Sequence, residues 1–249
     1  MPYEVLATSK TPSLAIYLLD VSASMTQPLS DRRRIDVVSD ALTAALRQMV
    51  FRSTKGGRLA PRYKVAMLAY SDHVYDVLDG IQTIAEVAYR GIPELSPLRT
   101  TDTAKAFAQA EKMLEAALPS MQNSPAPVVC HMTDGEYTAA DPEPIVKRIM
   151  EMSVPDGNVL VENIFISDKV VPYTVSDPTK WPGILPDTEL VSDYAKKLRS
   201  MSSVIPESYR QMMQENNYHL TPGALMLLPG MSPELVAMGF QMSAATPVR

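Results

Sequence analysis

Apolar positions along the chain come in two kinds of run that alternate. Residues 14–19, Leu-Ala-Ile-Tyr-Leu-Leu, are apolar almost throughout and are stopped by Asp20. A short unbroken run of this kind is the pattern of a central parallel strand covered on both faces. After a loop to about Arg34, residues Ile35, Val38, Ala41, Leu42, Ala45, Leu46, Met49 and Val50 recur at helical spacing and mark one buried face. Residues 63–70 repeat the strand pattern. The turn Ser71-Asp72-His73 leads into residues 74–78, which predicts an antiparallel hairpin at the edge of the sheet. Thr101 opens a second helix, with Ala106, Phe107, Ala110, Met113, Leu114 and Ala117 on one side, and Pro119 ends it. Residues 126–132 form another continuous apolar strand, followed by a helix over about 142–152 and a strand over 159–166.

The sum is an α/β chain: a Rossmann-like, doubly wound, mostly parallel sheet with one antiparallel edge strand and helices on both faces. Beyond Ser167 the alternation weakens. A Pro-rich connection over 170–186 holds the only tryptophan, Trp181. Helical spacing returns at Leu190, Tyr194, Leu198 and Met201, and again over 206–216. From Leu220 onward, Pro-Gly turns separate short apolar runs and no regular element is assigned.

Composition narrows the function. The 249 residues are 46% hydrophobic, enough for a substantial core without disulfide support. A net charge of -5 argues against a broad nucleic-acid footprint. Cys130, the single cysteine, lies inside an apolar run and reads as a buried thiol in a reducing compartment. The N-terminal residues carry no apolar signal core, and no run approaches the ~20 apolar residues of a membrane span, so the expectation is a cytoplasmic protein.

In an open α/β sheet, ligands bind beyond the carboxyl ends of the strands. Three polar segments fall there: Asp20-Val21-Ser22-Ala23-Ser24 after the first strand, Thr100-Thr101 before a helix, and Asp134 after the strand ending at Met132. Two carboxylates and three hydroxyls suit a hard cation such as Mg²⁺, which takes oxygen ligands and keeps several waters. Hydroxyl ligands carry no charge, so the metal stays electrophilic toward an outside anion. Read separately, the Asp and Ser side chains fit a turn and helix N-cap, and Asp134-Gly135 fits a simple turn.

These segments, Asp20 to Met25, Thr101 to Phe107 and Thr133-Asp134-Gly135, resemble the metal-ion-dependent adhesion site of von Willebrand factor A-type domains. The resemblance covers about residues 13–205. It implies an N-terminal arm over 1–12, the domain over 13–205, and a C-terminal extension over 206–249 packed on the same domain. It implies Ser22, Ser24 and Thr101 as direct ligands of Mg²⁺ or Mn²⁺, with Asp20 and Asp134 acting largely through water. Thr100 is the alternative to Thr101, but the spacing to Ala106-Phe107 favours Thr101. A Glu or Asp of a partner protein then completes the coordination, and the chain is a binding module rather than an enzyme. Stand-alone bacterial members with similar tails, some of them working beside kinases, phosphatases or ATPases, suggest a signalling or regulatory assembly. The stretch from Thr26 to Arg34 departs from the family by lengthening the first loop, which would cover or reshape the site.

Rival readings are a Mg²⁺-dependent phosphoester hydrolase using Asp20, and a scaffold with a degenerate metal site that binds through its tail. His73, His131 and His219 have no ligand spacing and read as core or rim residues. Gly56-Gly57 lacks the Lys-Ser/Thr of a phosphate loop. Arg32, Arg33, Arg34, Arg52, Lys55, Arg58 and Arg62 form the one basic concentration, a solvated face or a surface that steers an acidic partner. Methionines crowd the final stretch and read as core filling, or else as an adaptable docking surface.

Overall fold

The computed structural model describes residues 2–91, 95–97, 101–135, 137 and 139–248. Its centre is strand β1, Ser13–Asp20, buried along its whole length. On one side β1 pairs in parallel with β2, Tyr63–Tyr70, and Asp20 stands opposite Tyr70. Beyond β2 lies β3, Val74–Asp76, antiparallel at the edge as the Ser71-Asp72-His73 turn predicts. On its other side β1 pairs with β4, Val128–Thr133, which pairs with β5, Leu160–Phe165. The spatial order β6-β5-β4-β1-β2-β3 is closed by β6, Leu227–Pro229, parallel to β5. A two-residue stretch, Gln82–Thr83, adds a second antiparallel pairing to β2. This is the doubly wound order, with its switch point between β1 and β4.

Helix α1, Arg34–Ser53, buries Ile35, Val38, Ala41, Leu42, Ala45, Leu46 and Met49, the face its periodicity predicts. It packs beside α7, Pro233–Ser243, on one face of the sheet. On the other face α3, Thr103–Ala117, packs against α4, Glu143–Glu151. Helices α5, Asp193–Ser200, and α6, Glu207–Glu215, fall where Leu190 to Asn216 show helical spacing.

Two parts of the fold are not evident from periodicity. Helix α2, Ile84–Arg90, is held by a capping box between Thr83 and Glu86, and its seven residues give apolar spacing under two turns in which to show. The segment 206–249 supplies β6 and α7 to the sheet and its cover. Helix α7 is mostly apolar and buried, with Leu235, Val236, Met238, Phe240 and Met242 all in the core, so its few polar residues mark no clear period. Gly239 lets it settle on β5, since a Cβ there would lie 2.6 Å from Ile164 Cδ1. Pro229, which lacks an N–H, is tolerated because β6 is an edge strand. Met201, Met213, Met226, Met238 and Met242 are buried, in agreement with core filling.

Candidate metal centre

The rim at the carboxyl ends of β1 and β4 gathers four of the five sequence-predicted ligands into one chain of hydrogen bonds. Asp20 ends β1 and is fully buried. Its Oδ1 accepts the Ser22 backbone N–H at 2.8 Å, which bends the chain back over the strand end. Val21, Ser22 and Met25 are buried, whereas Ala23 and Ser24 are exposed. Ser22 Oγ lies 2.9 Å from Ser24 Oγ, and Ser24 Oγ donates to Asp134 Oδ1 at 2.7 Å. A single turn of 3₁₀ helix, Ala23–Thr26, holds this loop, with Met25 N bonded to Ser22 O at 3.0 Å. From Asp20 to Ser24 the site passes from a buried carboxylate to an exposed hydroxyl.

Thr101, the fifth candidate, precedes the residue that ties the start of α3 to the end of β2. The Asp102 N–H donates to Ser71 O at 2.6 Å, directly after β2, and Asp102 caps α3 by accepting from Lys105 N. Thr101 itself is buried. Thr100, the alternative ligand, lies outside the described residues.

Beneath the rim is a polar layer whose hydrogen bonds are not legible in the sequence. Thr133, the last residue of β4, donates from Oγ1 to Asp20 Oδ2 at 2.7 Å. Both Asp20 oxygens are therefore engaged. Burial raises the Asp20 pKa, opposed by the bonds from Ser22 and Thr133 and reinforced by the charge of Asp134. Deeper still, Tyr70 OH meets His131 Nε2 at 2.7 Å, and His131 Nδ1 meets Asn163 Oδ1 at 2.8 Å. The Asn163 amide N–H groups donate to Met201 O and Ser202 Oγ, so its oxygen accepts from Nδ1–H and Tyr70 donates to Nε2. Burial drives the His131 pKa down to about 4 despite the Asn163 bond. This is a satisfied core histidine. The only sequence signal for the layer was the polar residue types themselves at buried strand positions.

The basic concentration does not form one surface. Arg32 pairs with Asp40 and Arg33 with Asp36, both exposed. Arg52 and Arg62 turn inward: Arg52 bonds Ala244 O and Thr246 O, and Arg62 bonds Arg52 O at 2.8 Å. Arg34 enters the rim, where Nη1 donates to Asp134 Oδ2 at 2.7 Å. The residue types were legible, but the direction of each side chain was not.

The donor set fits a hard divalent cation. The four gathered side chains are two carboxylates and two serine hydroxyls from two loops, with no thiol or imidazole among them. No group of three or more His, Cys, Asp or Glu that could hold a metal is found among the described residues. The Arg34 guanidinium occupies one oxygen of Asp134, so one of the two carboxylates is already paired with a cation of the chain.

Residues 15–136 match the family model of the von Willebrand factor type A domain. No curated protein matches the sequence. Among solved structures, the PilB minor pilin from Streptococcus sanguinis is 10% identical with a TM-score of 0.55; the match covers 95% of this chain and 62% of that one. Proximal thread matrix protein 1 from the mussel byssus is 12% identical with a TM-score of 0.51, over 94% of this chain and 47% of that one. This chain thus spans less than two thirds of either protein, and at these identities the likeness is one of fold.

Proposed function

We propose that this chain, which carries a von Willebrand factor type A domain, is a metal-dependent protein-binding module that captures an acidic side chain of its partner. The observation that supports the reading is the contact chain Ser22–Ser24–Asp134 above Asp20, four oxygen-bearing side chains drawn together by two loops at the switch point. Ser22, Ser24 and Thr101 would hold Mg²⁺ or Mn²⁺ through their hydroxyls, with Asp20 and Asp134 behind them. When bound, the ion supplies an electrophilic centre for an outside carboxylate.

The protein's own residues prepare that role. Thr133 and the Ser22 N–H fix the Asp20 carboxylate, so its negative charge is oriented before any ion arrives. Ser24, the exposed member, presents the site to solvent and to a partner.

The test is capture of a partner from native lysate with Mg²⁺, with EDTA and with Asp20→Ala, beside melting curves with and without Mn²⁺. Capture and a metal-dependent rise in melting temperature are expected for the native chain alone. Equal capture in all three arms would sink the reading.

A further inference from the structure

Arg34 is the first residue of α1, where a cation faces the positive end of the helix dipole and is disfavoured. It is nevertheless aimed into the rim. Its guanidinium lies 2.7 Å from Asp134 Oδ2, with the Asp134 side chain fully buried and that of Arg34 25% exposed. Arg32 and Arg33 have their acidic partners on the exposed surface of α1, just after them in the chain, so only the third arginine of the run reaches the other loop. The approach is built into the lengthened first loop. Residues Pro28–Leu29 and Arg32–Arg33 form a small antiparallel hairpin, and Arg34 N donates to Gln27 O at 3.0 Å. The cost of the arrangement is visible at Nε, which is buried with no hydrogen-bond partner. A guanidinium with one strong bond and one buried unmade bond is a poorly satisfied occupant of its place.

We infer that Arg34 is a tethered counter-cation of the metal centre. It competes with a divalent ion for Asp134 and sets how tightly the ion is held. The inference rests on the metal-binding reading above. Of the two carboxylates, Asp20 is fixed by Thr133 and Ser22, and Asp134 is shared between Ser24 on one oxygen and Arg34 on the other. A divalent ion beside Ser24 meets the repulsion of a unit positive charge across one carboxylate. It must push Arg34 aside or be held more weakly. The loop that carries Arg34 thereby makes affinity for the ion adjustable: a partner that draws the guanidinium away with its own acid would tighten the centre at the moment of docking.

The experiment is calorimetric titration of the full chain with Mn²⁺ and with Mg²⁺, using the native protein, Arg34→Gln, Arg34→Lys and Asp134→Asn, alone and combined with Arg34→Gln. Melting in EDTA reports on folding of each. Arg34→Gln is expected to bind Mn²⁺ on the order of tenfold more tightly than the native chain, and Arg34→Lys, which keeps the charge, to stay near native. In the Asp134→Asn background the gain from Arg34→Gln should disappear, which a merely structural role for Arg34 would not produce. Equal affinity of the native chain and Arg34→Gln overturns the inference and leaves the metal centre standing, as does weaker binding by Arg34→Gln when its EDTA melt is unchanged. Binding by Arg34→Gln alone supports it. Silence from every variant at millimolar metal overturns both the inference and the metal-binding reading.

Discussion

Replacing Glu162 with Met should make the protein more stable, and increasingly so as pH rises. Glu162 sits in the middle of β5, fully buried, and both of its carboxyl oxygens are buried without a hydrogen-bond partner. In register across β4 stands Cys130, whose thiol is at best a weak donor. On the same side of the sheet Tyr17 OH is already committed to Ser243 of α7 at 2.8 Å. Burial holds the Glu162 pKa well above its ordinary value of 4.5, and the thiol and phenol beside it are pushed up as well, so the whole cluster is neutral. Two costs follow. Burying a neutral polar group without partners takes roughly 1–3 kcal/mol. In addition, the unfolded chain ionises Glu162 above pH 4.5 while the folded chain does not. The stability associated with its protonation is therefore complete below that pH and is lost as pH rises toward the folded value, by about 1.4 kcal/mol per unit. Methionine is close to glutamate in volume and removes both costs. At pH 5 the gain should be ~1–3 kcal/mol, equivalent to roughly 2–10 °C in a domain of this size, and larger at pH 7. Urea denaturation of both proteins at pH 5, 6 and 7 measures it. A less stable variant at pH 7, or identical pH slopes for the two proteins, would refute the reasoning.

Two further substitutions probe the layers around the sheet. His131→Phe loses the bonds from Tyr70 and to Asn163 and should cost about 1–3 kcal/mol at neutral pH. Because the folded pKa of about 4 lies below the ordinary 6.5, native stability from neutral His131 is present above 6.5 and is lost as pH falls toward 4. The variant should therefore show a flatter acid limb in melts between pH 6.5 and 4. Gly239→Ala drives a methyl into Ile164 at 2.6 Å and should cost roughly 1–3 kcal/mol in denaturation; Ile164→Val in the same chain should recover part of it, and no recovery would remove the steric explanation.

The rim illustrates how far residue types reach. Asp20, Ser22, Ser24 and Asp134 were identifiable because two of the loops follow unbroken apolar strands, and a doubly wound order brings such loop ends to one edge. Thr133 belongs to the recognisable segment Thr133-Asp134-Gly135, but its bond to Asp20 was not legible, and neither was the place of Arg34 at that site. Thr133 looks like the end of a strand, and its partnership with Asp20 spans 113 residues. Arg34 looks like one of three equivalent arginines until the hairpin before it sets the direction of α1.

What the sequence determined by itself was local and periodic. Strands β1, β2, β4 and β5 and helices α1 and α3 follow from apolar spacing within ten to twenty residues, and with them the parallel architecture. Tertiary structure alone decided the elements whose burial is complete or whose length is short. Helix α7 lost its period because most of its surface is buried, and α2 is too brief to have one. It alone decided the charges too, because the sign of a side chain is written in the sequence while its partner is chosen by the approach of distant loops. Glu162 without a partner, Asp134 with two, and Arg34 turned inward are all consequences of that approach.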